Sequence, residues 1–216
     1  MHTELLIARL ARHAGPVHVL PPARTMFVRW ALVSAVSMAA GVAWFGLRGD
    51  AGARIVSPDF LARALLAIAL AATAARHAWS WSVPGTEPEG LGRITPHVLL
   101  VAWAAALVWP LVGASMVDRL MAVRWHPECA WQMATVALAP AAWMYWQVRR
   151  AAPYDLGWTS VQAALASAGV GALAVQWICG LDGAGHQLLW LVVPLLAITA
   201  ATSLTGRRLL RRSLTQ

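Results

Sequence analysis

The sequence predicts an all-α polytopic membrane protein, a bundle of six transmembrane helices with both termini in the cytoplasm. Three observations carry this. The 216 residues are 59% hydrophobic and only 12% charged, about half the charged share of an ordinary soluble domain. The apolar residues gather in six stretches, near 27–47, 60–82, 95–116, 129–147, 157–178 and 186–206. Each is close to the roughly 20 residues a helix needs to cross about 30 Å of hydrocarbon. The basic residues, all arginine, fall unevenly on alternate connecting segments. The N-terminal tail, the 83–94 and 148–156 loops and the C-terminal tail hold Arg9, Arg12, Arg24, Arg29, Arg93, Arg149, Arg150, Arg207, Arg208, Arg211 and Arg212. The 48–59, 117–128 and 179–185 loops hold Arg48, Arg54, Arg119 and Arg124. Eleven against four places the first set, and with it both chain ends, on the cytoplasmic side.

In chain order, residues 1–25 form a cytoplasmic tail, 26–206 the transmembrane domain and 207–216 an arginine-rich cytoplasmic tail. The run from Thr3 to Arg12 supports about two helical turns, with Leu6 and Leu10 one turn apart and Thr3 as cap. Gly15-Pro16 and Pro21-Pro22 stop it and leave a stiff connector. The first apolar stretch lacks a small-residue cleavage site, so no secretory signal peptide is expected. Arg29, Arg63 and Arg76 fall near span ends, where long side chains snorkel to headgroups. Pro110, Pro140 and Pro194 predict kinks in spans three, four and six. Span five is built from small residues (Ala163, Ala164, Ala166, Ser167, Ala168, Gly169, Gly171, Ala172, Ala174). Such a surface lets neighbours approach closely and predicts a central position.

Cys129 and Cys179 are the only two cysteines. Cys129 opens span four and Cys179 follows span five, and the 148–156 turn joins the two spans. Adjacent antiparallel helices therefore bring both thiols to one membrane face, the outer one. There they form a disulfide, bind a soft metal ion, or lie as inert small hydrophobes; the residues alone leave all three open. His126, three residues before Cys129, is the candidate additional metal ligand, and Glu128 and Asp182 or His186 are further donors within reach. His-x-x-Cys with one distant Cys is a weak metal signal beside paired Cys-x-x-Cys.

Other features point away from chemistry. Trp79, Trp81, Trp125, Trp143 and Trp146 mark span ends and read as interfacial anchors. His77 and His97 flank the 83–94 loop as ordinary solvated or hydrogen-bonded side chains. The Gly180, Gly183 and Gly185 run reads as a tight flexible turn. Asp and Glu stay in tails, loops and span edges, which argues against ion-coupled transport. Phosphate loops, HExxH helices and Ser/His/Asp sets are absent, so no catalytic residue and no cofactor is assigned. The net charge of +8 would suggest nucleic acid in a soluble protein. Here it reads as topology and lipid-headgroup contact with the bilayer, with no direct nucleic-acid partner.

A set of local matches in order along the chain adds to this. They are Pro21-Pro22 before span one, Gly46-Leu47-Arg48 leaving it, and Ser57-Pro58-Asp59-Phe60 at the start of span two. Cys129 follows an outer Trp125, and Arg149-Arg150-Ala151-Ala152-Pro153 makes the inner turn. Gly169 and Gly171 precede Cys179, Trp190 lies in span six, and Gly206-Arg207-Arg208-Leu209-Leu210-Arg211 closes the chain. In these the sequence resembles the NrsF-type negative regulators of sigma-F, six-span bacterial membrane proteins. The resemblance implies an inner-membrane anti-sigma factor. Such a protein holds an extracytoplasmic-function sigma factor at the inner face and releases it on a heavy-metal or oxidant signal sensed by paired outer cysteines, here Cys129 and Cys179. This chain departs from the family in having Trp177-Ile178 where a His often precedes the second cysteine, and Leu191 where Tyr follows Trp190. The sigma factor would be gripped by the inner segments, with Leu6 and Leu10 docking as a helix and Arg9 and Arg12 pairing with acidic patches. The rival readings are a small transport or metal-handling membrane protein, with cargo on the same thiols and His126, and a structural subunit of a membrane complex.

Overall fold

A computed structural model describes residues 3, 7, 21–83, 85–86, 88–112, 115, 125–151 and 155–213, the stretch 204–213 by backbone alone. Thr3 and Ile7 are helical and exposed, while Leu6, Arg9, Leu10 and Arg12 lie outside the described residues. Among the described residues there are helices and no strand. The first long helix, α1, spans Ala23–Phe45 and starts directly after Pro22, whose fixed φ suits the residue before a helix begins. It ends at Gly46, whose φ of 91° strains any residue with a Cβ. A single turn at Ala51–Arg54 precedes α2, Pro58–Ser80, which begins with proline in its first turn, where the missing N–H costs nothing.

α3 spans Thr95–Val108, led in by a 3₁₀ turn at Gly90–Ile94 and closed by another at Trp109–Leu111. The predicted third span therefore stops at Leu111 rather than 116. Pro110 is the physical reason: without an N–H, and crowding the residues before it, it ends regular helix there. α4 is Glu128–Arg150 and α5 is Leu156–Ile178. The Asp155 carboxylate caps α5 by accepting from the N–H groups of Gly157 (2.9 Å) and Trp158 (3.0 Å), an arrangement worth about 1 kcal/mol. The last span begins as a helical turn at Ala184–Gln187 and passes through a π turn at Leu188–Val192. It then runs as α6, Val193–Ser213, continuing as helix past the predicted boundary at 206. The π turn sits just ahead of Pro194, which has no N–H to offer the preceding turn.

α5 is the hub. It packs against α2, α4 and α6, with α1 laid on α4 and α3 on α2. Its small residues make this possible, as their composition predicts. A side chain at Gly169 would press on Ala71 of α2 at 3.2 Å, and one at Gly171 would strike the main-chain carbonyl of Met133 in α4. A Cβ at Gly41 of α1 would strike a side-chain methyl of Val136 in α4. The outward faces are apolar instead: Leu32, Val36, Leu65, Val98, Val101 and Leu138 are all exposed. A belt of that extent suits hydrocarbon and not water. Among the described residues five helical stretches, Ala23–Phe45, Pro58–Ser80, Gly90–Leu111, Leu156–Ile178 and Ala184–Ser203, are long and apolar enough to cross a membrane. α4 equals them in length but is more polar, since it carries Glu128, Gln132, Gln147, Arg149 and Arg150.

Pro140 lies inside α4 and cannot donate to the carbonyl of Val136, four residues earlier. Ser37 of α1 supplies the missing donor, its hydroxyl bonding that oxygen at 2.7 Å. A buried carbonyl without a partner costs about 1–3 kcal/mol. Ser37→Ala is therefore expected to lower stability by about 1 kcal/mol, read as a drop in the thermal unfolding midpoint in detergent. In a Pro140→Ala background, where the helix supplies its own N–H, the same change should cost almost nothing. Equal costs in the two backgrounds would show that the serine packs rather than satisfies.

Candidate functional site

Cys129 sits in the first turn of α4 and Cys179 is the residue on which α5 ends. The antiparallel packing of these helices puts the two free thiols 3.0 Å apart, Cys129 Sγ donating to Cys179 Sγ. The pairing expected from span lengths is thus present. A third group completes it. His186 Nε2 lies 3.2 Å from Cys129 Sγ and 3.7 Å from Cys179 Sγ. Cys129 and His186 are buried, at 4% and 2% exposure, and Cys179 is half-buried. The Cys179 thiol is held below its ordinary value, first by the hydrogen bond from Cys129 and then by the Leu181 backbone and His186, against the opposing effect of burial.

Of the donors named from sequence, His126 lies outside this set. It precedes the helix, separated from it by Pro127, and its side chain is 42% exposed beside Glu128, with Nδ1 to Oε2 at 3.7 Å. Its ring stands edge-on to that of His186, centroids 5.9 Å apart. Glu128 is exposed, and Asp182 is engaged elsewhere. His186 is the donor the structure brings in.

What engages Asp182 is an ion network that the sequence reading missed. Arg48, directly after α1, has a side chain only 1% exposed. Its Nε and Nη2 donate to Asp50 at 2.6 and 3.0 Å. Nη1 and Nη2 donate to Asp182 at 2.9 and 2.6 Å, and Nη1 also reaches the Gln176 carbonyl at 3.3 Å. Arg54 adds a second contact to Asp182 at 2.6 Å. Arg63 is not snorkelling, as its place near a span end suggested. It is buried, bonded to Asp59 at 2.8 Å and to the Gln187 side chain at 3.2 Å. Three arginines thus meet three aspartates, the only arrangement in which a guanidinium as dry as that of Arg48 is affordable. These bonds hold Asp50 down to about 2, chiefly through Arg48, and push Arg48 up, chiefly through Asp182. The glycine-rich 180–185 run is therefore not a loose turn: Asp182 pins one side of it, and Gln187, next to His186, pins the other. Two spacings of one helical turn, Asp50 to Arg54 and Asp59 to Arg63, were the sequence signals for any of this.

At the far end of the bundle Gln147 Nε2 reaches the Met26 carbonyl at 3.5 Å, so the start of α1 meets the end of α4. Arg24, Arg149 and Arg150 share that end; at 1.5 Å per residue it lies about 30 Å from the thiols.

The fold and cluster define a class: a helical membrane protein with a packed thiol–imidazole site at one end and arginines at the other. The chain belongs to the NrsF family, described as negative regulator of sigma F, which matches residues 10–211. It is a negative regulator with a sigma factor as partner, and that description is regulatory rather than enzymatic. No curated relative and no solved structure matches the chain.

Asp182→Asn removes a charged partner from Arg48, a loss of about 2 kcal/mol, and frees one side of the 180–187 segment. Alkylation of Cys179 in the reduced protein should then speed up severalfold. An unchanged rate would show that the thiol–imidazole contacts hold the segment unaided.

Proposed function

We propose that this protein is an inner-membrane anti-sigma factor of six spans with both termini cytoplasmic. It sequesters an extracytoplasmic-function sigma factor and releases it on a heavy-metal or oxidant signal received at Cys129 and Cys179 on the periplasmic side. The observation that carries this is the paired thiols closing on one another at one end of a sigma-F regulator, opposite the end that carries the cytoplasmic arginines. α4 counts as the sixth span because it runs between α1 and α5 at the same 23-residue length as both, and its polar residues gather at its two ends and on packed faces.

The sigma factor is bound by the cytoplasmic tail 1–25, with Leu6 and Leu10 as the apolar stripe of a docking helix and Arg9 and Arg12 as partners for acidic side chains. The 83–94 and 148–156 loops and the 207–216 tail complete the surface. The signal acts on the join between α4 and α5: drawing the two sulfurs together, by a disulfide or around an ion, biases how those helices sit against each other.

Purification of the tagged protein should retain a sigma factor, and deletion of residues 1–25 should lose it. Retention by the deleted form would remove the tail from the binding surface. A membrane-impermeant maleimide added to reduced, intact cells should label Cys179. Labelling only after lysis would invert the proposed topology. Cys129→Ser and Cys179→Ser should each keep the sigma factor bound while abolishing its release by metal or oxidant; normal release from the double variant would end the sensing proposal.

A further inference from the structure

The donor set at the thiols is better matched to holding an ion than to forming a disulfide alone. Three different ligand atoms, Cys129 Sγ, Cys179 Sγ and His186 Nε2, all lie within 4.8 Å of one another. Around a tetrahedral zinc-like ion, sulfur sits at about 2.3 Å and nitrogen at about 2.0 Å, which puts neighbouring donors about 3.5–3.8 Å apart. The two S···N distances, 3.2 and 3.7 Å, already stand close to that. Only the sulfurs, 3.0 Å apart, would have to open, by less than about 1 Å. A disulfide needs no imidazole, yet this one is buried with a single ring nitrogen facing both sulfurs. Its other nitrogen, Nδ1, is buried with no hydrogen-bond partner among the described residues, so an ion at Nε2 would fix the ring's proton on Nδ1, where a water would have to accept it.

The site is also held ready. Cys129 is fixed by the first turn of α4 and Cys179 by the end of α5. His186 sits on a short turn whose neighbour Gln187 is bonded to buried Arg63, and Asp182, between the two ligands, is clamped by Arg48 and Arg54. Ligands anchored from three directions by groups that do not touch the ion are the mark of a preorganised centre.

We infer that Cys129, Cys179 and His186 form a three-donor site for a thiophilic divalent d¹⁰ cation of the zinc and cadmium class, with His186 and not His126 as the nitrogen ligand. Two sulfurs and one imidazole favour such borderline-soft ions over magnesium or calcium, which take oxygen. Binding replaces two S–H bonds with two metal–sulfur bonds, releases the two protons to water, and adds the neutral imidazole, so no oxidant or reductant is consumed. This deepens the proposed sensing role of the thiols and rests on it. It identifies the signal as coordination, and it adds His186, a residue that an oxidant-sensing pair would not need as a ligand.

Cadmium titrated into the reduced, detergent-solubilised full-length protein without its sigma factor should raise a sulfur-to-metal charge-transfer band that saturates at one ion per chain. His186→Ala should keep the band but weaken binding by about 10-fold or more. His126→Ala should bind as the wild type does, and Cys129→Ser should lose most of the band. Wild-type affinity in His186→Ala, or an equal loss in His126→Ala, would overturn the assignment of the nitrogen donor. Absence of the band in the wild type would overturn the site itself. Oxidant-driven crosslinking of Cys129 to Cys179, scored on the same preparation for release of bound sigma factor, would then report separately on whether the thiols still sense.

Discussion

The packing of α4 against α5 at Gly171 is the constraint from which the rest follows. There a main-chain carbonyl, that of Met133, occupies the space a Cβ would need. Backbone contact of this kind is the main source of affinity between helices in hydrocarbon, where burying apolar side chains gains nothing over leaving them in lipid. It also sets a distance. Cys129 lies one turn from Met133, and Cys179 follows two turns after Gly171, so the closeness of the two rods determines how closely the sulfurs meet. A larger residue at 171 would separate the helices and, with them, the thiols.

The same economy governs the polar groups. With no water to satisfy an orphaned carbonyl, each break in a helix must be repaired by a neighbour. Pro140 frees the Val136 oxygen and Ser37 takes it up. Ahead of Pro194, the chain resorts to a π turn. At the thiol end, Arg48 is buried only because Asp50 and Asp182 both face it. That pairing leaves Arg48, Arg54 and Arg63 neutralised by three aspartates, while Arg24, Arg149 and Arg150 at the opposite end stand outside any carboxylate pair among the described residues.

What could be read from the sequence follows from which interactions are local. Span lengths, proline and glycine positions and arginine counts are one-dimensional, and they led to the long helices, to the central small-residue α5 and to the meeting of Cys129 with Cys179. The choice of histidine was not of that kind. His126 looked right because it stands three residues before Cys129, a spacing that means proximity only within a helix. Pro127 starts the helix after it, so the spacing carries no such meaning. His186 is seven residues beyond Cys179 across a glycine-rich stretch, and only tertiary clamping through Asp182 and Gln187 turns that stretch back onto the thiols. Arg48 and Asp182, separated by 134 positions, leave no trace in any window of sequence. Nor did the third span declare its end, because Pro110 can kink a helix or terminate it, and which of these occurs depends on its neighbours.

Under the proposed function, a signal at the thiols would have about 30 Å to cover to the end that carries Arg149 and Arg150, and the helices differ in how well they could carry it. α5 is regular throughout, clamped on three sides by α2, α4 and α6, and has no proline; it is the stator. α4 has a missing rung at Pro140, and the helix carrying His186 has its π turn within a few residues of that histidine. These are the places where a helix can re-register at low cost. A change in the spacing of Cys129, Cys179 and His186 would therefore act on two helices with irregular turns held against one regular helix, and those two lead to Arg149–Arg150 and to the arginine-rich end of α6. In that proposed role, sub-ångström adjustments at one end would become a displacement of charged surface at the other, since close-packed faces deform little.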